Sequence, residues 1–245
     1  MGRIAVEIVP HKEEEILRDV ETLKKYPQVD CVNIPDIMRC EIRAWDAAKI
    51  VQPQIATIPH VRAMDIDLKK PLPFKEIFEK FNITEVLVIA GDPPQDMLRT
   101  VYPTESIDVI RKFREELPRV KVYAGIDQYR GSIRDELYKV ERKLQAGAAG
   151  LFSQPFFDMR YLEMYADLLD GLEVYWGVSP VLSARSKGYW ERKDKAVFPK
   201  DFQPTMQWNV EFAHKVIDFI SSTNGGLYFM PITINIADFL PQIFK

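Results

Sequence analysis

The stretch "AGAAGLFSQPFFD", residues 146–158, begins as the end of a helix and runs directly into a strand. Gly147 follows "KLQA" as a helix C-cap, because glycine accepts the left-handed backbone that closes a helix. The run that follows, "GLFS", is short and apolar throughout, as strands buried on both faces are. It ends on two polar groups, Ser153 and Gln154, before Pro155 and two phenylalanines turn the chain away. The same join of helix to strand recurs along the chain, and that recurrence decides the fold.

Eight β-rich apolar runs are legible: "IAVEIVP", "VDCVNIP", "IATIPHV", "EVLVIAG", "VKVYAGI", "GLFSQPF", "EVYWGVSPV" and "GLYFMPI". The segments between them carry helical spacing. Phe74, Ile77, Phe78 and Phe81 fall at i, i+3, i+4 and i+7, and Ile133, Leu137, Val140 and Leu144 step by four, three and four. Val210, Ala213, Ile217 and Ile220 make a third such face. Strand and helix alternating about eight times within 245 residues predict a single (β/α)8 TIM barrel over residues 1–245. An open doubly wound sheet is the lesser alternative, and the G-x-G-x-x-G phosphate fingerprint is absent. One region, about 183–207, breaks the alternation. It is charged and irregular, and reads equally as a solvated connection or a lid.

Lys plus Arg number 33 against 36 Asp plus Glu, a formal charge of −3, with no basic block. That balance argues against nucleic acid and anionic membrane as partners. The start of the chain has neither a signal-peptide core nor a myristoylation pattern, and no apolar run approaches the roughly 20 residues of a membrane span, so a cytoplasmic protein is expected. Cys31 and Cys40, with three scattered histidines, make no zinc signature.

In such a barrel the C-terminal strand ends build the site. Those ends carry Glu7, Asn33 with Asp36, His60 with Arg62, Asp92, Asp127, Gln154, Ser179 and Met230. Glu7, flanked by apolar residues, is expected to face the lumen with a raised pKa, which suits a general acid near neutral pH. Asp92 follows an apolar strand and a glycine, either as a ligand contact or as a turn former. The amide of Gln154 offers donors and an acceptor in one plane, matching the edge of a heteroaromatic ring. Phe156 and Phe157 either stack on such a ring or belong to the core.

"VEIVP", "PHV", "AGDPP", "KLQAGAAGLFSQPFFD" and "GVSPVLS", in this order and over nearly the whole chain, resemble the methylenetetrahydrofolate reductases. The resemblance implies a barrel that carries FAD and passes a hydride from NADH or NADPH to 5,10-methylenetetrahydrofolate, giving the 5-methyl form. It implies Glu7 as general acid, Asp92 as the aspartate beside pterin and flavin, and Gln154 as the folate-binding glutamine. Asn33, His60, Asp92, Glu136 and Lys143 are thereby expected at the cofactor, and Trp190 and Ile232 against substrate or nicotinamide, with Phe156 expected at the substrate from its own place after the strand. The chain departs from the family pattern at Ala90, where an arginine is usual, and in "GIDQYRG" and "YFMPITI". Those departures touch the flavin site. A flavin-free or partner-dependent member, a pterin-binding methyltransferase and a non-catalytic folate-binding barrel are therefore the alternatives. A second copy of the chain or an electron-transfer protein is left open as a partner.

Overall fold

A computed structural model describes residues 2–94, 100–232 and 234–244. Its eight strands are β1 (Ile4–Glu7), β2 (Cys31–Ile34), β3 (Thr57–Arg62), β4 (Glu85–Ile89), β5 (Lys121–Ile126), β6 (Gly150–Pro155), β7 (Val174–Val178) and β8 (Gly225–Phe229). All pair in parallel and in chain order. The register Ala5↔Tyr228 between β1 and β8 closes the barrel. The predicted TIM barrel is thus the observed architecture.

The helices follow the strands as α1 (Glu13–Leu23), α2 (Ala44–Val51), α3 (Lys75–Lys80), α4 (Ser106–Glu116), α5 (Ile133–Ala146), α6 (Met159–Leu168), α7 (Ala184–Tyr189), α8 (Met206–Ile220) and α9 (Ile236–Ile243). Parallel neighbours require such crossovers, and the crossovers cover the outer face of the sheet. Phe74, Phe78 and Phe113 pack under α3 and α4. At the end of α5, Gly147 has φ +115°, and its N–H donates to Leu144 O while Ala148 N–H donates to Lys143 O. That φ, which side-chain-bearing residues rarely adopt, calls for glycine there.

The period of two along each strand separates two cores. Val6, Val32, Val61 and Val88 face the helices in the outer core, whereas Ala5, Cys31, Ile58, Leu87, Tyr123, Phe152, Tyr175 and Tyr228 fill the lumen. The residue two positions beyond a lumen residue also faces inward, at the C-terminal mouth. That geometry places Glu7, Asn33 and His60 above Ala5, Cys31 and Ile58.

The irregular region after β7 holds α7 and a wide π-type turn over Trp190–Asp194. Trp190 and Ala196 pack with Phe157, Val181 and partly buried Phe198 into a small apolar cluster of their own. Phe157 stacks on Phe198 at 4.3 Å and meets Trp190 edge-on at 5.8 Å. Within 183–207 only Trp190 and Ala196 are buried, and the rest of the region is exposed or half-buried.

Candidate functional site

A cavity of about 710 Å³ opens at the C-terminal ends of the strands, a volume that suits one drug-sized ligand. Its walls include Glu7, His60, Ile89, Asp92, Ser153, Gln154, Tyr228, Met230 and Ile232, closed on one side by Ser183, Arg185, Ser186, Tyr189 and Trp190. Four of the expected site residues, Glu7, His60, Asp92 and Gln154, therefore come together on one cavity, with Trp190 and Ile232 beside them.

At the floor, the Tyr228 hydroxyl donates a hydrogen bond to Glu7 Oε2. Burial pushes the Glu7 carboxyl up to about 7, with the Tyr228 bond opposing the shift. Tyr228 is itself held protonated, well above the usual phenol range, by burial and by the adjacent carboxylate. His60 lies edge-on to Tyr228 with ring centroids 6.3 Å apart. Burial drives its imidazole down to about 3, so the ring is neutral at physiological pH. Asn33 Nδ2 is 3.1 Å from His60 Nε2. With the amide donating, Nε2 accepts, and Asn33 Oδ1 is left without a partner among the described residues. The floor thus offers one exchangeable proton, on Glu7, beside a neutral imidazole.

On the wall after β4, Gly91 takes φ +87° and packs against Arg62, whose Nη2 donates to the Asp92 carbonyl at 2.7 Å. The Asp92 carboxylate faces Arg130 Nη1 at 3.2 Å and Lys193 Nζ at 3.6 Å. Burial would raise its carboxyl, but these cations outweigh burial and hold it below the usual range. Arg130 also reaches Asp127 at 3.0 Å and Asp194 at 3.3 Å, tying the loops after β4 and β5 to the turn after α7.

Gln154 owes its position to Gln128. The Gln128 side chain donates from Nε2 to Gln154 O at 2.8 Å and accepts from Gln154 N–H at 3.2 Å, as a neighbouring strand would. A register shift between β6 and β7 falls between Phe152 and Pro155, where Ser153 Oγ takes the Gly177 N–H instead. The Gln154 side-chain amide itself has no hydrogen-bond partner among the described residues, which leaves it available at the cavity wall.

Other expected positions lie elsewhere. Phe156 is fully buried among Tyr161, Tyr165 and Trp176 and does not line the cavity, because Pro155 carries the chain over the strand end into the outer core. Glu136 and Lys143 share the inner face of α5. Lys143 Nζ donates to Gly125 O at 2.7 Å and lies 3.5 Å from Glu136, which accepts from Asp127 N–H. Both are spent tying α5 to the barrel, and burial lowers the Lys143 pKa despite its partner. Asn33 is buried beside His60 and off the cavity lining. Asp36 is held by Arg43 and caps the start of α2. Of the residues that the resemblance assigns to FAD, only His60 and Asp92 face the cavity, so these side chains do not make a flavin cradle.

Tyr228, Gln128, Arg130 and the cavity arginines Arg39 and Arg185 were not among the expected residues. The signal for Tyr228 was present, since it stands two residues before Met230 and faces the lumen with it. Among the described residues, no group of three or more His, Cys, Asp or Glu could hold a metal, and no helix is long and apolar enough to cross a membrane.

No protein-family model matches the chain, and no curated protein matches it in sequence. Solved structures do match in shape. An uncharacterized protein from Clostridium thermocellum that binds two copies of 5-methyl-5,6,7,8-tetrahydrofolic acid aligns over 99% of this chain and 92% of its own, with TM-score 0.68 and 10% identity. A 2,3-dimethylmalate lyase of the PEP mutase/isocitrate lyase superfamily aligns over 90% and 81%, with TM-score 0.56 and 11% identity. A native KDPGal structure aligns over 98% and 90%, with TM-score 0.52 and 13% identity. At these identities the likeness is one of fold.

Proposed function

We propose that this barrel binds a reduced folate, or a closely related pterin carrier of one-carbon units, with the ring over Glu7 and its edge on Gln154. The observation that carries the reading is the buried Glu7 carboxyl, which Tyr228 contacts and which keeps a proton near neutral pH. An acid so placed protonates a substrate nitrogen without leaving a bare charge in water. The similarly shaped Clostridium thermocellum protein, with its two tetrahydrofolate ligands, supports the ligand class.

The reaction we assign is reduction of 5,10-methylenetetrahydrofolate. Glu7 gives its proton to the ring nitrogen that leaves the bridging carbon, the other nitrogen forms an iminium, and a hydride from NADH or NADPH completes the methyl group. One proton and one hydride are consumed, and the nicotinamide is oxidised. No step is routed through FAD, because Glu136 and Lys143 are committed elsewhere. That same commitment favours a second reading, a folate-binding barrel without turnover.

The test joins binding to turnover. Titration with 5-methyltetrahydrofolate is expected to saturate one cavity, and Gln154→Ala to weaken it about tenfold, the worth of a hydrogen bond. NADH oxidation that depends on methylenetetrahydrofolate, and that drops roughly 10²- to 10⁴-fold in Glu7→Gln, supports reduction. Binding without turnover selects the second reading, and absence of binding ends both.

A further inference from the structure

On a chain of net charge −3, the cavity lining carries as many cations as carboxyl groups. Arg39, Arg185 and Lys193 stand against Asp92 and Asp194, with Glu7 at the floor. Asp92 and Asp194 are already matched, by Arg130 and Lys193. Arg39 and Arg185 are both exposed, and neither has an ion-pair or hydrogen-bond partner among the described residues. They come from separate segments, Arg39 from the turn after β2 and Arg185 from α7 beyond β7. In the closed strand order only β8 and β1 lie between β7 and β2, and these are the strands that carry Tyr228 and Glu7. Arg39 and Arg185 therefore line the cavity from segments on either side of the strands that carry Glu7 and Tyr228.

We propose that Arg39 and Arg185 form an anion site at the mouth of the cavity, which holds the carboxylate-bearing tail of a ligand whose ring occupies the floor. A guanidinium presents a planar fork that matches a carboxylate, and two forks on opposite segments match a tail with two carboxylates, such as a glutamate. The one other Lys or Arg on the wall, Lys193, already pairs with Asp92. The identity of the ring rests on the pterin reading above, while the anion site stands on the two unpaired arginines.

The experiment compares 5-methyltetrahydrofolate with a tail-less 5-methyltetrahydropterin, by calorimetric titration at low and high salt, on the wild type, R39Q/R185Q and R39K/R185K. Both arginines are exposed and unpartnered, so an unchanged melting temperature is expected and serves as the folding control. The wild type is expected to prefer the tailed ligand about tenfold at low salt and less at high salt. R39Q/R185Q is expected to erase that preference without changing tail-less binding, and R39K/R185K to keep part of it. Equal binding of the two ligands, or a preference that survives R39Q/R185Q, overturns the anion site and leaves the pterin reading intact. If neither pterin binds, the pterin reading fails, and citrate against inorganic phosphate becomes the probe. Citrate binding weakened about tenfold in R39Q/R185Q supports the site. Citrate binding that is absent or unaltered, or phosphate binding that is tighter than citrate, overturns it.

Discussion

Replacing Glu7 by glutamine turns the chemistry of the floor into a measurement of stability. The carboxyl is pushed from 4.5 up to about 7 by burial, so the folded chain holds a proton that the unfolded chain releases. Between those two values the unfolded state binds fewer protons, and stability falls as pH rises, levelling off above about pH 7. At 1.36 kcal/mol for each pH unit, the penalty of carrying the ionised group in the folded state reaches about 3 kcal/mol. Glutamine keeps an oxygen that accepts the Tyr228 hydroxyl and stays neutral throughout. Glu7→Gln should therefore match the wild type within about 1 kcal/mol near pH 4.5 and exceed it by about 3 kcal/mol at pH 8. For a chain of this length that is a rise of about 6 °C in melting temperature. Any cost of seating the amide N–H₂ enters as a constant offset, so the slope with pH is the diagnostic. Urea unfolding of both proteins at half-unit steps from pH 4.5 to 8 reads it. A difference that stays flat across the window would refute the buried, protonated Glu7 on which the functional reading depends.

Tyr228→Phe removes the donor that opposes burial at Glu7, so the pH window measured by the Glu7→Gln comparison should move upward, with a stability loss of about 1–3 kcal/mol. Unfolding curves of Tyr228→Phe, with and without Glu7→Gln, give both numbers. Gly91→Ala places a Cβ 3.0 Å from Arg62 Nε at a φ of +87°, and should cost about 1–3 kcal/mol in thermal unfolding. It should also displace the Asp92 carbonyl from Arg62, read as weaker 5-methyltetrahydrofolate binding; an unaltered melt and affinity would show the loop to be tolerant. Arg130→Gln breaks three exposed ion pairs, so global stability should move by less than about 1 kcal/mol. Amide exchange in the turn at 190–194 should nevertheless quicken, and unchanged exchange there would mean that Trp190 and Phe157, not the charges, hold that turn in place.

The barrel was legible because its signals are local. Eight apolar runs, helical faces such as Phe74 to Phe81, and the cap at Gly147 each declare themselves within a few residues. The lumen residues follow from the period of two, which puts Glu7 inside once Val6 is outside. What the sequence concealed was the use of each polar group. Glu136, Val140 and Lys143 fall at i, i+4 and i+7, one face of α5, and Val140 is buried. Two charged residues on a buried face were bound to be spent on the barrel, yet the resemblance alone placed them at a flavin. Arg130 and Asp194 are 64 residues apart, and nothing local announces their pairing. Phe156 reads the same in sequence whether it walls a site or fills a core. Only the path of the chain after Pro155 separates the two.

The neighbours of Glu7 also fix how its proton is replaced. His60 cannot relay one at neutral pH, since burial holds its pKa near 3, and Tyr228 donates to Glu7 but is too tightly protonated to supply a proton of its own. Cys31 lies below on β2, and its thiol is likewise held protonated, pushed up to about 12 by burial. Tyr123 and Tyr175, deeper in the lumen, are also held protonated by burial, and among the described residues their hydroxyls bond to Glu85, Glu173 and Arg3 rather than to the floor. Exchange therefore runs through the mouth, past Gln154 and the arginines. A ligand that fills the 710 Å³ cavity closes that route. On the proposed function, a ligand that meets protonated Glu7 takes its one proton, and Glu7 regains it when the ligand leaves, which couples proton delivery to ligand release.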